Sequence, residues 1–268
     1  MPQLNVQSIA RVLTTHRLGR AVLAFDRIGS TNDVAHEQAR AGAADGLLVV
    51  AEEQTAGRGR LARTWWAPPA TCLLMSLVLR PWSVGRTLSL PQAGQLTMSL
   101  GLAAAEAAGE LTGLRVQLKW PNDLLIEGRK LGGMLTELDA DEDRLDYAVL
   151  GLGLNVNVDF AAPGAPPELA LTATSLQMET GRPVDRLALL AGILLRTERW
   201  YERVLAGESP HEVWAQHLDT LGRRVRVAFI TGFLEGVAVG VTPEGGLLVQ
   251  DDAGRVQIVW SGDVAGLR

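Results

Sequence analysis

Cysteine is all but missing from this sequence. The single example, Cys72, lies in the apolar run TCLLMSLVL and has no partner for an internal bridge, a pattern that fits a reducing compartment. Histidine is scarce too, and His16, His36, His211 and His217 fall in no metal-binding spacing. No stretch approaches the length of a membrane span, and the N-terminus lacks the basic-then-apolar order of a signal peptide. A soluble, cytoplasmic protein with no membrane partner is the expectation. Excess positive charge is absent as well. With a formal net charge of −5 and a pI of about 5.5, the molecule as a whole is not built to bind nucleic acid, although Arg58 to Arg63 form a local basic run. There is no internal repeat, no low-complexity segment, no P-loop, no nucleophile elbow and no Cys–His pair of catalytic type.

What is present is globular composition, 47% hydrophobic and 21% charged. A chain of 268 residues buries about three quarters of the surface its unfolded form exposes, so an apolar core suffices to hold it. The pattern predicts a helix over SIARVLTTHR closed by Gly19, then strands at 21–28, 46–53 and 71–80. A helix starting behind Ser30-Thr31-Asn32-Asp33 runs to about Arg40, with Gly42 as its stop. An Ala-rich helix is expected over 91–108, with Pro91 near its first turn. Strands follow at 115–120 and 124–128, interrupted by Pro121, then at 129–139 after a turn at Glu127-Gly128, and at 147–157. Helices at 185–205 and near 210–218 close this part. From Gly222 the texture changes to five short strands with Gly-rich turns, the mark of a small closed or half-closed β-barrel. The reading is α+β, with domains at 1–218 and 219–268.

Four segments carry chemistry. EQTAGRGRLARTWWAP joins a strand to a loop in which Gly57 and Gly59 permit close backbone approach or movement. Its Arg58, Arg60 and Arg63 offer fixed charge to phosphate or carboxylate oxygens, and two adjacent tryptophans are costly to expose unless they cover something flat. GSTND (29–33) is a good helix start by capping chemistry alone, and its hydroxyl and amide groups can also hold a polar ligand head. KWPNDLLIEGRKLGGMLTEL (119–138) sets Lys119 and Lys130 on either side of a hairpin, with Gly132 and Gly133 allowing close contact beside Lys130. GLGLNVN (151–157) fails the dinucleotide fingerprint because position 156 is Val, and reads instead as a strand end past which a ligand runs, with Asn155 as a polar contact. DADEDRLD (139–146) has Arg144 where a calcium loop needs Gly and Leu150 where it needs Glu, so it reads as a solvated hairpin turn.

GSTND, EQTAGRGR with its trailing Trp, KWPNDL…GRKLGGML and GLGLNVN stand in the order and spacing seen in biotin–protein ligases. The chain resembles that family over roughly residues 20–218, and its terminal strands resemble the family's small C-terminal domain. The resemblance implies a catalytic domain like that of class II aminoacyl-tRNA synthetases, a mixed sheet with flanking helices, plus a small Src-homology-3-like barrel. It implies that biotin's carboxylate attacks the α-phosphate of ATP, with Mg²⁺ accompanying the nucleotide, to give biotinyl-5′-adenylate and pyrophosphate. A lysine of a biotin carboxyl carrier protein then takes the biotinyl group, leaving AMP. Carried over by position, Ser30, Thr31, Asn32 and Gln54 would hold the ureido end of biotin. Arg58, Gly59 and Arg60 would lie over its carboxylate and the phosphate, with Arg63 close by. Trp65 would stack on adenine and Asn155 would touch the adenine side. Lys119 and Lys130 would neutralise the reacting oxygens, Lys130 also meeting biotin, so that Arg58, Arg60, Lys119 and Lys130 form the catalytic set.

Ala62 stands where many members have Gly, which would stiffen the loop slightly. The segment before residue 20 leaves no room for the DNA-binding domain of members that also repress transcription, so a ligase without repressor function is expected. The family commonly dimerises, which makes a homodimer an open expectation. The rivals are a lipoate or octanoate ligase of related fold, which should lack the EQTAGRGR loop, and a biotin-responsive DNA-binding regulator, which the acidic pI disfavours.

Overall fold

The computed structural model describes residues 3–141, 144–229 and 232–266. Helix α1 (Val6–Val12) leads into strand β1 (Val22–Ile28), helix α2 (Thr31–Arg40) and strand β2 (Leu48–Gln54), which returns parallel to β1. Strand β3 (Cys72–Leu79) and helix α3 (Gly94–Thr112) follow. Then come strands β4 (Gln117–Lys119), β5 (Asp123–Ile126), β6 (Arg129–Asp141) and β7 (Arg144–Asn155), all antiparallel to their neighbours. The seven strands lie in the order β1-β2-β3-β7-β6-β5-β4. Short helices α4 (Leu169–Thr172) and α5 (Leu176–Thr180) precede the long α6 (Arg186–Leu205) and α7 (His211–His217). A second, five-stranded antiparallel sheet takes in β8 (Arg224–Phe229), β9 (Gly232–Val241), β10 (Leu247–Gln250), β11 (Val256–Val259) and β12 (Asp263–Gly266). Its order is β11-β10-β9-β8-β12, and among the described residues β11 and β12 are not paired with each other, which is the half-closed form of the expected barrel.

Strand alternation explains why the central strands are apolar throughout. Leu48 and Val50 of β2 face the large cluster built on α3 and α6, whereas Leu47 and Val49 face Ala35 and Ala39 of α2. In β3, Leu73, Met75 and Leu77 join the large cluster, while Cys72 and Leu74 pack with Val158, Phe160 and Ala173 on the opposite face. Both faces of the sheet are covered, so neither tolerates polar residues without a partner.

The termini of several elements differ from the sequence reading. Helix α1 starts earlier than SIARVLTTHR because Asn5 and Ser8 form a reciprocal capping box ahead of it. It stops at Val12 because the buried Glu198 carboxylate of α6 accepts the backbone N–H groups of His16, Arg17 and Leu18, at 2.7–2.8 Å, and holds that segment out of helix. The Pro91 region is a short 3₁₀ turn, and α3 proper runs on to Thr112, where Gly113 at φ 77° ends it. The turn between β5 and β6 is where expected, with Glu127 and Gly128 both at positive φ as a type I′ hairpin requires. Helices α4 and α5 fall in a stretch the sequence left without elements. The tip of the 139–146 hairpin lies outside the described residues.

The two sheets meet through the turn at 242–245. The indole N–H of Trp120 donates to the Gly245 carbonyl at 2.9 Å, and Ser209 Oγ donates to Pro243 O at 2.7 Å. Gly94 lies directly beneath the Glu244 carbonyl, where a Cβ would collide.

Candidate active site

A cavity of about 600 Å³ opens between the seven-stranded sheet and the edge of the second one, within the range of about 300–1,000 Å³ usual for small-molecule sites. Ser30, Thr31, Asn32, Gln54, Arg58, Gly59, Arg60, Arg63, Trp65, Lys119, Lys130 and Asn155 all line it. Chain segments more than a hundred residues apart therefore converge because of the sheet order: α2 follows β1, the arginine loop leaves β2, and the lysines flank β5 beyond β7 and β6.

The first turn of α2 forms the polar floor. Gln54 Oε1 accepts the Thr31 backbone N–H at 2.7 Å and the Thr31 hydroxyl at 3.0 Å. Ser30, at the N-cap position, makes no capping bond with its side chain. Asn32 is only 5% exposed and fully engaged: its amide N–H groups go to Leu135 O and Glu137 Oε2, while its carbonyl accepts from Ser76 Oγ at 2.6 Å. Its amide rests on Gly151, where a side chain would collide with it.

The arginine loop is a tight hairpin. Gly59 N donates to Arg63 O at 2.7 Å and Trp65 N to Gly57 O at 2.9 Å, with a single 3₁₀ turn at Arg60–Ala62 in which Leu61 takes φ 55°. Each arginine has a protein partner. Arg58 pairs with Asp33 and, at 3.5 Å, with Glu137. Arg60 reaches Asn122 Oδ1 at 3.3 Å and Gly262 O at 3.4 Å, and Arg63 pairs with Asp263 of β12. Lys130 holds Asp123 at 2.7 Å. Among the described residues the Lys119 side chain has no such partner.

The tryptophans serve two purposes. Both are half-buried against the Cys72–Phe160 cluster, Trp66 with its ring 5.9 Å from that of Phe160. Trp65 lies on Gly153, with the Lys130 ammonium 5.8 Å from its ring centroid and its own indole N–H unpartnered among the described residues. Gly151 and Gly153 of GLGLNVN both line the cavity and give close seats to Asn32 and Trp65 respectively. Asn155 is likewise buried at 3% exposure, its amide donating to Thr174 O at 3.0 Å and to Lys130 O at 3.4 Å. Next to it, burial pushes the Cys72 thiol up to about 12, so no thiolate nucleophile is available at neutral pH.

Sequence reasoning missed Asp33, Ser76, Asn122, Glu137, Asp263 and Arg226. Asp33 and Asn122 sit inside quoted motifs and were legible as polar neighbours. Asp263 and Arg226 come from the second sheet, for which nothing local signals a place in the cavity wall.

Residues 24–155 match the Biotin/lipoate A/B protein ligase family, and residues 220–265 match the Biotin protein ligase C terminal domain. The bifunctional ligase/repressor BirA of Bacillus subtilis is 36% identical over 98% of this chain and 79% of its own length. The chain belongs to the biotin–protein ligase family. The biotin–[acetyl-CoA-carboxylase] ligase of Mycobacterium tuberculosis is 34% identical, covering 90% of this chain and 86% of that one. Among solved structures, the Aquifex aeolicus biotin protein ligase in complex with biotin and ATP superposes with a TM-score of 0.76 at 28% identity, covering 93% of this chain and 99% of that one. The mixed sheet, its flanking helices and the C-terminal antiparallel sheet are thus the fold of this family of ligases. No helix among the described residues is long and apolar enough to cross a membrane.

Proposed function

We propose that this chain joins biotin to ATP, releasing pyrophosphate, and passes the biotinyl group from the resulting biotinyl-5′-adenylate to a lysine of a biotin carboxyl carrier protein. The observation that carries the reading is the meeting of one polar floor, three loop arginines and two lysines around a single cavity. Two anions, a carboxylate and a triphosphate, must approach each other in the first step, and fixed cations lower that barrier. Lys119, without a partner among the described residues, is ready to meet an incoming phosphate oxygen. Arg58, Arg60, Arg63 and Lys130 do so by exchanging a protein acceptor for a ligand one.

The roles we assign follow the positions. Ser30, Thr31 and Gln54 receive the ureido group, Asn32 fixes their floor, and Arg58, Gly59, Arg60 and Lys130 surround the biotin carboxylate. Arg63, Trp65, Lys119 and Asn155 bound the adenylate side. Mg²⁺ enters with the nucleotide. Among the described residues no three His, Cys, Asp or Glu gather to hold a metal. The nearby acids Asp123 and Asp263 pair with Lys130 and Arg63. We divide the chain at 218/219, assign it to the cytoplasm, leave nucleic acid out of its partners on the net charge of −5, and expect a homodimer.

Incubation with biotin, ATP, Mg²⁺ and a carrier domain, followed by mass spectrometry of the carrier, tests the reading. One biotinyl addition is expected. Pyrophosphate–ATP exchange that responds to lipoate and not to biotin would replace it with the lipoate-ligase alternative.

A further inference from the structure

Glu137 stands on β6 at the end of the 119–138 segment, where it was given no role, yet three side chains from two elements converge on its carboxylate. From α2, Asn32 Nδ2 donates to Oε2 at 2.7 Å. From the arginine loop, Arg58 Nη1 lies 3.5 Å from Oε1. One turn further along α2, His36 Nε2 lies 3.6 Å from Oε2, and the same ring meets the Tyr147 hydroxyl at 3.4 Å. The group is half-buried, its side chain 28% exposed. Two of the three neighbours, the Asn32 amide N–H and the Arg58 guanidinium, can only donate. A carboxylate has two acceptor oxygens and no donor, whereas an amide in its place has one acceptor and would turn an N–H toward another N–H.

The consequence for Asn32 is directional. Glu137 fixes the N–H₂ side of the amide, so the carbonyl must face Ser76, whose hydroxyl is also 2.8 Å from Thr31 Oγ1. Thr31 in turn anchors Gln54. For Arg58 the alternative partner is Asp33, itself 58% exposed, and without Glu137 that pair would draw the guanidinium outward.

We propose that Glu137 is a positioning residue for ligand binding, its carboxylate fixing Asn32 at the start of α2 and Arg58 in the loop so that the two walls of the biotin end keep their spacing. The proposal rests on the biotin-ligase reading. It contrasts with a half-exposed surface ion pair, which contributes little to stability or binding.

Steady-state kinetics of biotin- and ATP-dependent pyrophosphate exchange on the full chain tests it. Glu137→Gln should raise KM for biotin about tenfold, as loss of one charge-assisted anchor does, with kcat and KM for ATP within about twofold of the original. Its Tm should be unchanged. Glu137→Asp, which keeps the charge but is one methylene shorter, should show a smaller rise in the same parameter and decides the matter if the Gln variant does not fold. Combined with Arg58→Ala, the Gln variant should be clearly non-additive. A Gln variant with unaltered KM for biotin overturns the proposal. So does one in which kcat, both KM values and Tm deteriorate together, which marks a purely structural role. If the unmodified chain shows no biotin dependence, the ligase reading itself falls. Biotin dependence with a Gln variant of unaltered kinetics removes this proposal alone.

Discussion

Gly153→Ala isolates the seat of Trp65. Gly153 lies in the middle of the sheet, paired with Leu74 of β3 on one side and Gly133 of β6 on the other, so its backbone has nowhere to go. A methyl group there would stand 2.7 Å from Trp65 Cε2, 2.9 Å from Nε1 and 3.0 Å from Cζ2. Comfortable carbon contacts begin near 3.5 Å, so the indole has to move by about 1 Å. The ring belongs to a hairpin loop rather than to the sheet, and the loop yields first. Overpacking of this kind costs about 1–3 kcal/mol. Charged to the arrangement that meets the nucleotide, it corresponds to roughly 5- to 150-fold in affinity. Because the main cluster is untouched, Tm should fall by no more than about 4 °C. Titration calorimetry with ATP, pyrophosphate-exchange kinetics and a melting curve read all of this together. Unaltered nucleotide affinity would refute the role given to Trp65, and a large loss of Tm with affinity intact would place the strain in the sheet instead.

Three further outcomes follow from the same contacts. Glu52→Ala leaves Arg186, 3% exposed, without the carboxylate it holds at 2.6 Å, and should cost about 3–5 kcal/mol in urea unfolding, with Arg186→Met added back recovering part of it. Asp263→Asn removes the carboxylate that Arg63 would otherwise give up to a phosphate, so KM for ATP should fall by up to about fivefold, and a rise would mean that Asp263 serves chiefly to order the loop. Alkaline pH should destabilise the fold: the Cys72 thiol goes from an ordinary 9.0 to about 12 and Tyr201 is also raised by burial and by Asp45. The unfolded chain therefore loses these protons first, and stability, complete below pH 9, should decline between pH 9 and 12, as denaturant midpoints at stepped pH would show. Thiol reagents should leave native Cys72 unlabelled and label it after unfolding.

Strands β2, β3 and β7 were legible because burial on both faces demands continuous apolar sequence, and Leu48–Ala51 and Cys72–Leu79 meet that demand. The α2 start and the hairpin at Glu127-Gly128 were legible from local chemistry, caps and positive φ. Helix α1 was misplaced because its end is set by Glu198, some 180 residues away, which no window of sequence includes. The residues that line the cavity were legible for a different reason: they stand in short runs whose order is distinctive. Their partners were not. Glu137 reaches Asn32 only through the register of β6 on β7 and β7 on β3, and Asp263 reaches Arg63 across 200 residues. The glycines of GLGLNVN were read as clearance for a ligand; both line the cavity, and the side chains seated on them, Asn32 and Trp65, were not legible.

The turn at 242–245 reaches further than its four residues suggest. It plugs against the start of α3, takes the Trp120 indole N–H and the Ser209 hydroxyl, and lies over a glycine that admits no side chain. Apolar residues of the small sheet, Val225, Val227, Leu247 and Val249, belong to the same cluster as Leu96 and Leu118. A boundary drawn in sequence is therefore not a boundary in free energy. A chimera that grafts a relative's C-terminal strands onto this chain would inherit a lock without its key unless Gly94 and Trp120 travelled with it.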